Sequence, residues 1–407
     1  MNSIIFADRV IDGSGNAPLI SKAVIIENGL ISKICDQSEI NDIKYPNYKL
    51  LHTNGGTLLP GFIEMHSHIH VSAEEEAYDH SINDSDEVLL MRGTKAVRAA
   101  LLSGVTTMRD LGSKNNIIFP IKKSVESGII PGPTLLAAGT PITTTGGHCN
   151  MFGTEADSKE DVIKAIRSQF KLGADWIKII ATGGNFTPNT NIREPQYDSD
   201  ILISAVNDAS RLGLSVAAHC HATEGIRNSV RAGIRNLIHC SWISSNPQQY
   251  YDYDTDLADE IAALGIYVDP TLALSHLNSL RNKNPDKPIR NTTERFEILR
   301  DMWDRGIKFV TGMDSGMINA NFDDFAYIPE VMVNKMGISP LEAITCATKT
   351  SAECLNLIDQ IGTIDINKKA DLVVVNGDPS KDISTLHKVK TIMKNGDLIK
   401  LDGEILI

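Results

Sequence analysis

No stretch of the chain is apolar for long enough to cross a membrane, and residues 1–8 lack the basic start and long apolar core of a secretory signal, so a cytoplasmic protein with no membrane partner is expected. Cysteine is sparse and scattered. The six stand at 35, 149, 220, 240, 346 and 354 with no Cys-x-x-Cys among them, which excludes a disulfide framework and fits a reducing compartment. Cys149, Cys220 and Cys240 each follow a histidine directly, and small buried side chains are the plainer reading of all three. No Gly-x-Gly-x-x-Gly follows an early strand, so a dinucleotide-binding fold is not expected. There is no repeat array and no low-complexity linker. Positive charge is in deficit: 39 Lys and Arg against 51 Asp and Glu leave −12, which argues against a nucleic-acid partner and makes a cationic substrate easier to attract.

What the chain does have is 407 residues, 42% of them hydrophobic and 22% charged, the make-up of an ordinary globular protein larger than one small domain. Residues 1–56 read as short strands. Ser3-Ile4-Ile5-Phe6-Ala7 comes first, and only Asn28-Gly29 separates the runs 23–27 and 30–34, a strong hairpin signal. From Thr57 strand-like runs alternate with longer helical stretches. Eight runs stand out, at 58–66, 105–109, 134–137, 176–180, 215–219, 237–239, 266–268 and 308–311. Helical candidates at 86–103, 159–172, 199–211, 224–232 and 294–305 lie between them, each closely followed by a glycine, as expected past a helix C-terminus. Eight strand–helix units predict an α/β protein, a (β/α)8 TIM-type barrel over residues 57–360, with its active site at the C-terminal ends of the strands. A helix is expected at 339–355, and the tail returns to strands at 370–375, 390–394 and 404–407. Two β segments at opposite chain ends need partners for their edges. The economical solution is one small β-sandwich built from residues 1–56 and 361–407.

The polar groups at the strand ends form a pattern. In Gly61-Phe62-Ile63-Glu64-Met65-His66-Ser67-His68-Ile69-His70, His66 and His68 fall on one face of a strand and can present two imidazoles to one metal ion. His70 continues the row further out. Lys178 stands inside Trp176-Ile177-Lys178-Ile179-Ile180, an otherwise apolar run, where a charge is costly unless paired or neutralised. It pairs with an acid, or snorkels outward, or is carboxylated by CO2 to a carbamate able to bridge two metal ions. His219 and His221 repeat the same-face spacing; the deeper His219 suits a metal and His221 the substrate. His239 ends the sixth run and alone would be an ordinary core histidine. Asp314, in Gly312-Met313-Asp314 after the eighth, suits either a backbone turn or metal binding with proton transfer. His148, in Thr145-Gly146-Gly147-His148, is a plain loop histidine or one that reaches the substrate from the rim. No role follows for His276.

Taken together, these stretches resemble the amidohydrolase superfamily across nearly the full chain. Pro60 through His68 is similar to the family's strand-one signature, which more often has Asp where Glu64 stands. Ala174-Asp175-Trp176-Ile177-Lys178 with Ala181-Thr182-Gly183-Gly184, Ala218-His219-Cys220-His221, Ile238-His239-Cys240 and Thr311-Gly312-Met313-Asp314-Ser315-Gly316 add to the likeness, as do Gly362-Thr363-Ile364 and Lys369-Ala370-Asp371-Leu372-Val373-Val374. The chain looks most like the imidazolonepropionase-like branch of binuclear zinc carboxypeptidases and dipeptidases, which includes prolidase-like enzymes and enzymes that remove C-terminal Arg or Lys. The resemblance implies two zinc ions. His66, His68 and Asp314 would hold the more buried one, His219 and His239 the more exposed one, and carboxylated Lys178 would bridge them. It implies His148 on the carbonyl oxygen and His221 near the substrate. Asp314 would carry a proton to the leaving amine.

The expected activity is hydrolysis of the C-terminal amide bond of short peptides or N-acyl amino acids, with Arg or Lys favoured at the C-terminus and a homo-oligomer as the working form. Acidic residues after the sixth and eighth runs, Asp252, Asp254, Asp256, Asp323 and Asp324, are expected at the rim and favour a basic side chain. The alternatives are an Xaa-Pro or apolar-residue dipeptidase, a cyclic-amide or xenobiotic amidohydrolase, and a metal-free scaffold.

Overall fold

The computed structural model describes residues 2–40, 45–281 and 292–407. Both chain ends enter one nine-stranded sheet. The hairpin forms as the Asn28-Gly29 signal predicts. Both residues have positive φ, 52° and 80°, and Leu19–Glu27 turns back onto Leu30–Asp36 with Glu27 opposite Leu30. At the other end Leu372–Val375, Val389–Lys394, Asp397–Leu401 and Glu404–Ile405 continue the sheet antiparallel. The seam between the two halves is Thr57–Pro60, parallel to Ser3–Val10 and antiparallel to Leu372–Val375, with Leu59 opposite Val373. Ile5, Val24, Leu58, Leu372 and Val374 close one shared core across that seam.

This seam corrects one expectation. The run 58–66 is two strands rather than one. Gly61 N donates to Asp371 O of the terminal sheet, while Phe62 N donates to Gly104 O, so adjacent residues bond to different layers. Glycine is required at the handover because a Cβ on Gly61 would lie 2.1 Å from Thr106 Oγ1. The expected helix over 339–355 is also broken: Pro340–Thr345 and Ser351–Cys354 flank a π-type turn at Cys346–Thr350.

From Phe62 onward parallel strands alternate with helices. Phe62–Ser67, Val105–Asp110 and Thr134–Ala137 form one parallel ladder. Thr154–Glu155, Ile142–Thr143, Trp176–Ile180, Ser215–Ala222, Asn236–Ile243, Tyr267–Asp269 and Lys308–Phe309, in that spatial order, form another. Backbone bonds join the ladders at both ends. Asp175 N donates to Ala137 O at 2.8 Å, and Met65 N donates to Thr311 O at 2.9 Å. The strands are buried along their length, as parallel strands covered by helices must be. The helix starts follow local chemistry: Ser158 and Asp161 make a reciprocal capping box for Lys159–Leu172, and Asp198 caps Ser199–Arg211. Among the described residues no helix is long and apolar enough to cross a membrane.

Candidate metal centre

The strand ends converge. His66 and His68 come from the end of the strand Phe62–Ser67, with ring centres 5.2 Å apart. Asp314, in the stretch after Lys308–Phe309, places Oδ1 3.2 Å from His66 Nε2 and 3.4 Å from His68 Nε2. His219 and His221 lie on Ser215–Ala222, and His239 on the next strand, with His219 and His239 ring centres 4.7 Å apart. Two groups could therefore each hold a metal ion: His66, His68 and Asp314, and His219, His221 and His239, each with its candidate atoms within 4.8 Å of one another. Lys178 Nζ sits 3.4 Å from His66 Nε2, and the His66 and His239 rings, one from each group, are 5.4 Å apart.

The histidines are held in the right form for metal binding. His68 Nδ1 faces Gly112 O at 2.8 Å and His239 Nδ1 faces Thr271 Oγ1 at 3.0 Å, so each ring is fixed through one nitrogen and offers the other. Burial pushes His66, His219 and His239 well below the ordinary imidazole range and His68 down to about 3. A neutral imidazole is the form that donates a lone pair, so the donor set fits a pair of cations. Burial pushes the Asp314 carboxyl up, opposed by the Lys178 ammonium; burial pushes Lys178 down, opposed by Asp314. Both are almost fully enclosed, so neither snorkels to solvent.

His148 lies beside His219. Its ring is 4.6 Å from that of His219, its Nδ1 is buried without a hydrogen-bond partner, and its backbone N–H is fixed by Gln196 Oε1 at 2.7 Å. His221, expected at the substrate, joins the same histidine cluster. It stacks on His239 at 4.4 Å with Nδ1 on Ser241 Oγ at 2.8 Å, and its geometry also suits a third metal-binding imidazole. His70 is fully buried against Phe152, and His276 stands apart, against Tyr327.

The sequence reading gave no role to several supporting groups. Glu64 is buried, and its Oε1 accepts from His66 N at 2.9 Å and Met313 N at 3.0 Å, tying the first strand to the segment that carries Asp314. Burial pushes this carboxyl up to about 8 against those two donors. Asp269, last residue of Tyr267–Asp269, sets Oδ2 3.2 Å from His66 Nδ1, close in distance but not aligned as a hydrogen bond. Burial pushes the Asp269 carboxyl up to about 6. A signal for Asp269 existed: it is a carboxylate directly after the strand-like run 266–268.

The chain matches the Amidohydrolase family over residues 57–399. It belongs to that family. An ochratoxinase from Aspergillus niger is 24% identical over 437 residues, spanning 98% of this chain and 87% of the relative. The imidazolonepropionase of Brevibacillus brevis is 20% identical over 421 residues, spanning 94% and 91%. Among solved structures, a Xaa-Pro dipeptidase with methionine bound in its active site superposes with a TM-score of 0.87 at 26% identity, covering 98% of this chain and 100% of that one. The structure of the Aspergillus niger ochratoxinase has a TM-score of 0.85 at 22% identity, covering 99% and 96%, a likeness of fold. This amidohydrolase is thus a hydrolase with the mixed α/β content of its TIM-barrel-type neighbours.

Proposed function

We propose that this amidohydrolase is a metal-dependent enzyme that cleaves the C-terminal amide bond of N-acyl amino acids or short peptides, on a closed (β/α)8 barrel whose first strand is Phe62–Ser67 and which is flanked by a β-sandwich from both chain ends. The observation that carries the reading is the pairing of two groups of metal-binding geometry around one buried lysine. His66, His68 and Asp314 would hold one ion, His219 and His239 the other, and Lys178, carboxylated, would bridge them; zinc suits this donor set. When bound, such ions supply Lewis acidity and a water acidic enough to attack at neutral pH. The chain's own residues do the rest. His148, buried with its Nδ1 unpartnered, would donate to the carbonyl oxygen as charge develops there. Asp314 takes the proton from the attacking water and passes it to the leaving amine. The test is metal content of the purified protein together with release of free amino acid from an N-acyl amino acid library. A protein without stoichiometric metal would be the scaffold alternative.

For the leaving residue the −12 charge favours Arg or Lys. Two of the five acids named for the rim are already ion-paired. Asp254 is paired with Arg227 at 2.9 Å, and Asp324 takes both ends of the Arg281 guanidinium at 2.5 and 2.7 Å, while Asp252, Asp256 and Asp323 are exposed. A second reading, an apolar or aromatic leaving residue, has its own support. Phe152 packs between His68 and His70, Met151 and Phe186 pack on the same cluster, and Tyr78 meets Phe186 edge-on at 5.6 Å.

A further inference from the structure

The strand that carries His239 ends in an unusual backbone. His239, Cys240 and Trp242 have φ of 66°, 43° and 56°. None is glycine, and left-handed backbone is strained for any L-residue with a Cβ. The neighbouring ladder breaks at the same place. Cys220 pairs with His239 and Ala222 with Ile243, so four steps on one strand oppose two on the other. Residues 240–242 bulge out, as strands do where a side chain must be re-aimed. Strain of this kind persists only where the surroundings over-determine it.

Arg295 supplies that constraint. It lies in the first turn of the helix Thr293–Asp304. Its Nη1 donates to Cys240 O at 2.8 Å, and its Nη2 donates to His239 O at 2.5 Å and, more weakly, to Pro270 O at 3.5 Å. Pro270 precedes Thr271, whose Oγ1 meets His239 Nδ1 at 3.0 Å. One guanidinium therefore binds the carbonyl of His239 itself and the segment that orients its ring. A planar fork with several donors can span carbonyls on two strand ends; a lysine ammonium cannot hold the same set.

We infer that Arg295 is a positioning residue for His239: it holds the bulged, left-handed backbone that aims this imidazole inward, and so sets the affinity of the half of the centre that contains His219 and His239. This rests on the proposal that those two residues hold an ion. The other half is braced separately, by Glu64 on His66 and Met313.

The experiment titrates Zn2+ into metal-free wild-type, Arg295→Ala, Arg295→Lys and Arg300→Ala proteins, reading stoichiometry and the two affinities. Arg300 is the control: it lies on the same helix and donates to Met336 and Gly337 carbonyls, away from the centre. Loss of an outer support of a metal-binding histidine costs about 10–100-fold in affinity. Arg295→Ala is expected to weaken the second ion by at least about 10-fold while the first stays within about twofold, with Arg295→Lys between it and wild type and Arg300→Ala unchanged in both. Wild-type affinity for both ions in Arg295→Ala overturns the inference; if Arg295→Ala does not fold, wild-type affinity in Arg295→Lys does so. A crystal structure of the metal-free Arg295→Lys protein reads the backbone directly. His239 outside the left-handed region upholds the positioning role, and φ retained near 66° overturns it. A wild type that binds fewer than two ions would instead sink the binuclear reading, leaving the backbone measurement to decide the role of Arg295.

Discussion

Lys178 is a long cation enclosed on all sides among histidines, with Asp314 as its nearby counter-charge. If it carries a carbamate, Lys178→Ala should lose most activity and at least one metal ion, and added short carboxylates should partly restore both. An unmodified lysine in a metal-loaded crystal structure would remove the bridge. Asp314→Asn keeps shape and deletes the basic oxygen, so kcat should fall at least ~100-fold with modest change in KM; near-normal turnover in a variant shown to retain both ions would take Asp314 out of proton transfer. Glu64 is a bracing group. Its replacement by Ala leaves two buried N–H groups without an acceptor, at roughly 1–3 kcal/mol each, whereas Gln keeps one carbonyl oxygen for both. Thermal melts should therefore place Glu64→Gln close to wild type and Glu64→Ala far below it. These residues differ in how legible they were. His66, His68, His219 and His221 show themselves by spacing of two on a strand, and Lys178 by being charged in an apolar run. Glu64, Asp269 and Arg295 act on partners brought in from other strands, and no local periodicity encodes that.

At the scale of elements, glycine after a helix, the Asn-Gly hairpin and the alternation of strand and helix were readable because each is local physics. The break at Gly61 was not, since its cause is Thr106 on the neighbouring strand. Gly61→Ala would force a methyl against buried Thr106 and should cost on the order of 1–3 kcal/mol, read as a lower thermal midpoint, without changing the residues that face the centre. The helices Lys159–Leu172 and Ser199–Arg211 are tied by the forked Arg167–Asp208 pair, at 3.0 and 2.9 Å, with Arg211 adding a second cation. The hydrogen bonds from Arg167, with a smaller share from Arg211, hold the Asp208 carboxyl below its ordinary value against burial. A depressed carboxyl contributes stability that is present above its unfolded value, about 3.9, and is lost as pH falls through the folded value. Asp208→Asn should thus be less stable than wild type at pH 7, by about 1 kcal/mol or less since both arginines are half-exposed, and the gap should close below pH 4. A gap that persists into acid would assign the effect to packing.

The whole molecule carries −12, and that charge acts at a distance that no single rim contact reports. The sequence made the total visible but could not say which acids were already spoken for; pairing with Arg227 and Arg281 is a property of the fold. What remains for a cationic leaving residue is a long-range field plus Asp252, Asp256 and Asp323, all exposed. A field of this kind raises encounter rates and weakens with salt, as the screening length drops from ~10 Å at 0.1 M to ~3 Å at 1 M. An apolar wall of Met151, Phe152 and Phe186 would do the opposite: its contribution comes from area removed from water and holds or grows at high salt. The two readings therefore separate on one experiment. Rates measured on N-acyl-Arg, -Lys, -Phe, -Met, -Leu and -Pro at low and high salt should give higher kcat/KM for Arg and Lys at low salt, carried by KM, with the advantage shrinking as salt rises. Equal or faster cleavage of the apolar set at both salts would assign the leaving residue to the aromatic wall, and would leave the metal centre and the bond cleaved as proposed.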